Sequence, residues 1–226
     1  MMKKNGFTLA EVLITLAIIG VVATMTLPAL IANTGEQQAR SAFKKAVNTL
    51  TEAAGLHKAI IGYNFDDLTN SGTAINVDTD DNAGNTLVAL LRARTAVDYQ
   101  VTGDGSSETA PSILLDATDN SGVTATTAVI FRDGTALLYD GTEFDDEMQD
   151  DNMTKGLLVV IDTNGVKGPN AISNCNGDKK GSADIGTSLS NCDDKAKRVI
   201  NDRFLVRLRG SIAQPEGAAA TWTFQN

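Results

Sequence analysis

Residues 12–32 of the chain, VLITLAIIGVVATMTLPALIA, carry no charged side chain and are mostly apolar. A helix rises about 1.5 Å per residue, so the stretch from Leu9 to Ile31 covers roughly 30 Å, the thickness of a bilayer's hydrocarbon core. Lys3 and Lys4 precede it. That placement predicts a cytoplasmic N-terminus, with the C-terminal bulk on the far side of the membrane. An ordinary secretory signal is the competing reading, and a small-x-small pattern near Ala23 offers it a cleavage site. The run is longer than the about 7–15 apolar residues of such signals, and Glu11 stands inside it.

A carboxylate in a membrane segment is expensive and marks a function or a partner. A free N-terminal amine is a suitable partner, and it exists only if the chain is cut just before the run. The Gly6–Phe7 junction suits such a cut, with basic residues upstream and apolar residues downstream. Phe7 and Glu11 then lie one helical turn apart on one face. Pro28 removes one backbone hydrogen bond and predicts a kink or local unwinding, with Gly20 and Gly35 as further weak points. The alternative is that Pro28 ends the membrane helix. Against it, residues 36–61 return to helical character: Ala39, Phe43, Val47, Leu50 and Ala54 recur at spacings of three and four. This apolar stripe is expected to pack on a globular domain. His57, at the end of it, has no ligand set around it and reads as surface or half-buried.

The 226 residues suffice for one domain plus a long helical extension, or for two small domains. Aromatic residues make up 5%, so the core must be aliphatic. Beyond residue 64 the pattern is one of short elements and many turns. A short helix is expected within residues 86–97, and strands at 112–116, 126–132 and 156–161. Two apolar strands flank Asp133-Gly134, which suits a tight primed hairpin turn. Near the end, Phe204, Val206 and Leu208 alternate with Leu205, Arg207 and Arg209, a strand period. TWTF at 221–224 reads as a last strand with its aromatic residues on one face. The sum is an α+β chain, one long helix against a small antiparallel sheet.

The formal charge of −9 argues against a nucleic-acid partner, which normally requires a basic face. Cys175 and Cys192 are even in number and lie far beyond the apolar run, where an oxidising compartment would pair them. Closing that loop stabilises the fold by about 3 kcal/mol in the chain-entropy model. Two free thiols is the alternative; a zinc pair lacks further ligands nearby. Asp162 and Asn164, followed by Gly165, resemble part of a calcium loop, although no complete EF-hand is present and Thr163-Asn164-Gly165 is also a good turn. The acidic run around Asp145, Asp146, Glu147, Asp150 and Asp151 reads as a solvated loop. The single histidine gives no Ser-His-Asp set, and no glycine-rich loop has the strand–helix context for phosphate. An enzyme is not expected.

The start of the chain, KKNG followed by FTLAE and VLITLAIIGVVATMTLPAL, resembles the class III signal of type IV pilins and type II secretion pseudopilins. The resemblance spans residues 3–30. It implies that Gly6 precedes the prepilin peptidase cut, that Phe7 is the methylated new N-terminus, that Glu11 is the family's assembly glutamate and that Pro28 is its helix-disrupting proline. It further implies a leader at 1–6, a long helix at 7–62 and a pilin-like head at 63–226. Within the helix, residues 7–31 would lie in the membrane or filament core and 32–62 would be amphipathic. VVIDTNGVKGPN at 159–170 is similar to a strand-to-loop segment of pilin-like proteins. The cysteine pair resembles the C-terminal disulfide loop of many type IV pilins. The implied function is a structural filament subunit, with a secretion pseudopilin or a membrane-tethered adhesin as alternatives. Implied partners are prepilin peptidase, identical or homologous subunits and an inner-membrane assembly platform. The implied location is the bacterial inner membrane in a single pass, then a periplasmic or surface filament.

Overall fold

The computed structural model describes residues 8–68, 86–102, 125–140, 156–179 and 181–226, with the backbone alone at 28–33. Two compact units divide the chain, residues 1–38 and 39–226. Helix α1 runs from Leu9 to Ile61. It is uninterrupted at Pro28, which therefore neither ends nor unwinds it. One missing backbone hydrogen bond is tolerated where helix propagates on both sides. The expected strand at 112–116 and the acidic run at 145–151 lie outside the described residues.

The second unit holds the sheet. A 3-10 turn at Phe65–Asp67 follows α1, and helix α2 spans Leu87–Arg94 where the short helix was expected. Among the described residues six antiparallel strands follow: β1 (Val97–Thr102), β2 (Thr127–Phe131), β3 (Ala136–Tyr139), β4 (Leu157–Asp162), β5 (Arg203–Arg209) and β6 (Ile212–Pro215). Their spatial order is their sequence order, an open meander with β1 and β6 at its edges. Helix α3, Ala218–Gln225, closes the chain.

The hairpin at Asp133-Gly134 forms, but with a three-residue loop rather than a two-residue primed turn. Phe131 N–H donates to the Thr135 carbonyl at 2.9 Å, and Gly134 N–H donates to the Phe131 carbonyl at 2.9 Å. Gly134 takes φ 89°, the left-handed residue that completes this loop type. The expected final strand at 221–224 is instead part of α3. Three consecutive alanines, Ala218–Ala220, start a helix there. The guanidinium groups of Arg40 and Arg198 lie over the Trp222 ring, 4.2 and 4.1 Å from its centre.

The period-two pattern of the strands divides the core into two faces. Val129, Leu137, Tyr139, Val159, Ile161, Phe204, Val206 and Leu208 pack with Phe43, Val47, Leu50 and Ala54 of α1 and with Leu87, Leu90 and Leu91 of α2. Ala128, Ile130, Leu138, Val160 and Leu205 form the other face, over Ile172. The helical stripe thus meets the sheet as its spacing requires, with Ala39 half-buried at its start. His57 is buried, not surface or half-buried, because it falls on the same face as Ala53 and Ala54.

Phe43 and Phe204 stack at the centre of the α1–sheet contact, with ring centres 4.3 Å apart. Phe43→Ala should therefore cost about 3–5 kcal/mol, as large buried aromatics do. Ile60→Ala, exposed on the same helix, should change stability by under about 0.5 kcal/mol. Denaturant unfolding followed through Trp222, the only tryptophan, measures both. Equal, small effects would place the core elsewhere.

Candidate functional site

Leu9–Leu27 is long and apolar enough to cross a membrane, with a mean hydropathy of 2.2 and none of it buried. Leu13, Ile14, Leu16, Ile18 and Ile19 are all exposed, on every side of the helix. A helix apolar all round requires lipid or other helices about it. The first turn holds the feature that the apolar pattern alone does not explain. Thr8 N–H and its hydroxyl both donate to Glu11 Oε2, at 2.9 and 2.8 Å. Glu11 N–H returns to Thr8 Oγ1 at 3.3 Å. This is a reciprocal capping box, in which two unsatisfied backbone donors of the helix start find side-chain acceptors. The Thr8-Leu9-Ala10-Glu11 spacing carries the signal for it, so Glu11 has a partner within its own chain as well as the intermolecular one expected. Gly6 and Phe7 lie outside the described residues, and of Pro28 only the helical backbone is described.

Cys175 and Cys192 are joined, with their Cα atoms 5.0 Å apart and both side chains fully buried. The bridge packs with Ala218, Ala219 and Trp222 of α3. Asp184, which sequence reasoning missed, ties the same region together. Its Oδ2 accepts the Cys175 N–H at 3.0 Å and the Ala219 N–H at 2.8 Å, so one carboxylate serves both the disulfide loop and the start of α3. Burial raises the pKa of Asp184, and the N–H donors of Ala219, Cys175 and Ala218 oppose that rise.

Asp162, which the sequence places in a segment like part of a calcium loop that is also a good turn, is ion-paired in the structure. It lies opposite Arg203 in the β4–β5 ladder, and Arg203 Nε donates to its Oδ2 at 2.8 Å with both side chains wholly buried. Its Oδ1 accepts the Asn164 N–H at 3.1 Å. The Arg203 guanidinium thus neutralises the Asp162 carboxylate in this structure. Among the described residues no three His, Cys, Asp or Glu side chains gather to hold a metal ion. The loop after β4 is held by Asp202 instead. The Asp202 carboxylate accepts the N–H groups of Asn170 and Ala171 at 2.8 and 3.0 Å. Thr163 donates through its N–H and its hydroxyl to the Asp202 carbonyl. Gly165 is required in this loop, because a Cβ there would stand 2.6 Å from the Gly134 carbonyl oxygen.

The family model for the prokaryotic N-terminal methylation motif matches residues 1–27. No curated protein and no solved structure matches the chain. The motif and the apolar N-terminal helix together support a prepilin-like chain. A long helix, apolar in its first half, with an antiparallel sheet is the general pilin-like arrangement, here with an open sheet rather than a curled one.

Burial pushes the Asp162 carboxyl up from 3.8 to about 6, against the hydrogen bond and charge of Arg203. Between those two values the folded chain holds a proton that the unfolded chain has released. The contribution of this group to stability is therefore fully present below 3.8 and is lost as pH rises through 6. Asp162→Asn mimics the protonated state. Relative to it, the natural chain should lose stability as pH is raised from 4 to 6, as read by denaturant unfolding at each pH. A relative gain over that range would contradict the inferred shift.

Proposed function

We propose that this chain is a structural subunit of a bacterial type IV pilus-like filament, made as a precursor that prepilin peptidase cuts after Gly6 and methylates at Phe7. The observation that carries this reading is the Leu9–Leu27 helix, apolar and exposed throughout, directly behind a methylation motif. The precursor sits in the inner membrane with its leader in the cytoplasm. After cutting, the helix moves from lipid into a bundle of its own kind in the filament core. Its apolar surface stays out of water in both places. The part beyond the membrane faces outward, and the inner-membrane platform drives the transfer.

Glu11 sets the register of that bundle. In the single chain its carboxylate is satisfied by Thr8, which stays with the mature chain. In the filament it meets the Phe7 amine of a neighbouring subunit, a charge-assisted contact in a low-dielectric core. Desolvation offsets much of the gain, so the pair specifies axial placement more than it adds affinity.

Glu11→Ala and Glu11→Gln, each expressed without the natural chain, test this. Both should be inserted and cut normally yet reach filaments poorly, read as the ratio of filament-bound to membrane-bound subunit. Loss of the cap alone costs only about 1 kcal/mol of helix stability and should leave the membrane pool intact. Normal filament yield from both variants would remove the docking role. A defect confined to cleavage would assign Glu11 to the peptidase instead.

A further inference from the structure

Both cysteines of the Cys175–Cys192 bridge are wholly buried, and helix α3 is part of what covers them. Ala218, Ala219 and Trp222 pack with the two cysteines, and α3 also lies against the 3-10 turn Leu189–Asp193 that carries Cys192. Each end of the bridge is further tied to α3 by one side chain. At Cys175 the tie is Asp184, whose Oδ2 accepts the N–H groups of both Cys175 and Ala219. At Cys192 it is Arg198, which donates to the Cys192 carbonyl at 3.1 Å while its guanidinium lies over the Trp222 ring. Gly217 lets the start of the helix come this close. It takes φ 82°, and a Cβ there would collide with Asp184 Oδ1.

The hold of α3 on the rest of the unit is lighter. It follows the edge strand β6 and takes no part in the sheet ladder, so lifting it breaks no strand pairing. Among the described residues of α3, Ala220 is the one buried in the core between α1 and the sheet, with Phe224 partly buried against it. Local opening of such an element costs less than unfolding the whole unit. Thiol–disulfide exchange, in turn, requires the attacking sulfur to reach one of the two bridged sulfurs. Formation and cleavage pass through the same mixed disulfide, so both need that access.

We propose that α3 is a lid over this disulfide: a disulfide-bearing oxidant acts on the two cysteines while α3 is undocked, and α3 then closes and shields the bridge from reductants. The exchange balances. The thiols of Cys175 and Cys192 give up two electrons and two protons, and the disulfide of the oxidant takes them and becomes a dithiol. Reduction by an external dithiol runs the same step in reverse, and it passes through lifting of α3 rather than unfolding of the sheet. The proposal does not depend on how the chain assembles.

The test is reduction of the full chain in lipid nanodiscs by dithiothreitol under native conditions, read by mass spectrometry after alkylation. Trp222→Ala should speed reduction at least about tenfold and Arg198→Ala about fivefold, because each loosens α3 over the bridge. Leu137→Ala lies in β3, two strands away from β5, and weakens the core without touching the lid. It should change the rate less than about twofold, since global unfolding is not the route. Far-UV circular dichroism of each oxidised variant checks that the unit stays folded. Acceleration by Leu137→Ala as large as that by Trp222→Ala would assign reduction to global unfolding and overturn the proposal. So would unchanged rates in both Trp222→Ala and Arg198→Ala, or a natural chain reduced as fast when folded as when unfolded in urea.

Discussion

The large apolar side chains from Leu9 to Leu27 are exposed around the whole circumference of α1, and this places a demand on everything else. Removing each from water is worth about 1.5–3 kcal/mol, so together they favour an apolar environment by on the order of 20 kcal/mol. That exceeds the roughly 5–15 kcal/mol by which a domain is folded. The first half of α1 therefore has the length and surface of a segment suited to lipid or to a helix bundle. The second half solves a different problem, because Phe43, Val47, Leu50 and Ala54 are buried against the sheet. One continuous helix serves two environments, and the change in its pattern from apolar all round to a single stripe is what divides them.

The sheet unit compensates for few aromatic residues with buried polar fasteners. Asp162 and Arg203 pair across β4 and β5 inside the core. Asp202 gathers the loop after β4, and Asp184 joins the disulfide loop to α3. A buried ion pair adds little net stability over an apolar pair of the same size, but losing one partner is costly. Such contacts reject alternative registers strongly while contributing modestly to the total. Arg40 and Arg198, both over the Trp222 ring, extend the same principle, since these contacts join α1, α3 and the chain just after the second cysteine.

The sequence disclosed what local periodicity controls. The amphipathic stripe, the strands at β2, β4 and β5 and the alternation of Phe204, Val206 and Leu208 all follow from spacing. Long-range contacts were not legible. TWTF alternates like a strand, but it continues the helix that the alanine run starts, and Trp222 meets Arg40, which is distant in the chain. Asp162 followed by Asn164 and Gly165 looks like a ligand loop until β5 sets Arg203 beside it, and no local pattern names that partner. The hairpin turn lies where Asp133-Gly134 signals it but is of another type, because Gly134 alone rather than both central residues takes the left-handed conformation. The Thr8–Glu11 cap is fully local, a Thr followed three residues later by Glu at the start of an apolar run.

The account rests on the chain being a prepilin, and the mass of the mature protein tests that most directly. Protein extracted from the membrane of cells with an active prepilin peptidase should lack residues 1–6 and begin at Phe7. One added methyl group would raise its mass by about 14 Da. A mature chain that begins near residue 24 would mark an ordinary secretory signal and contradict the account.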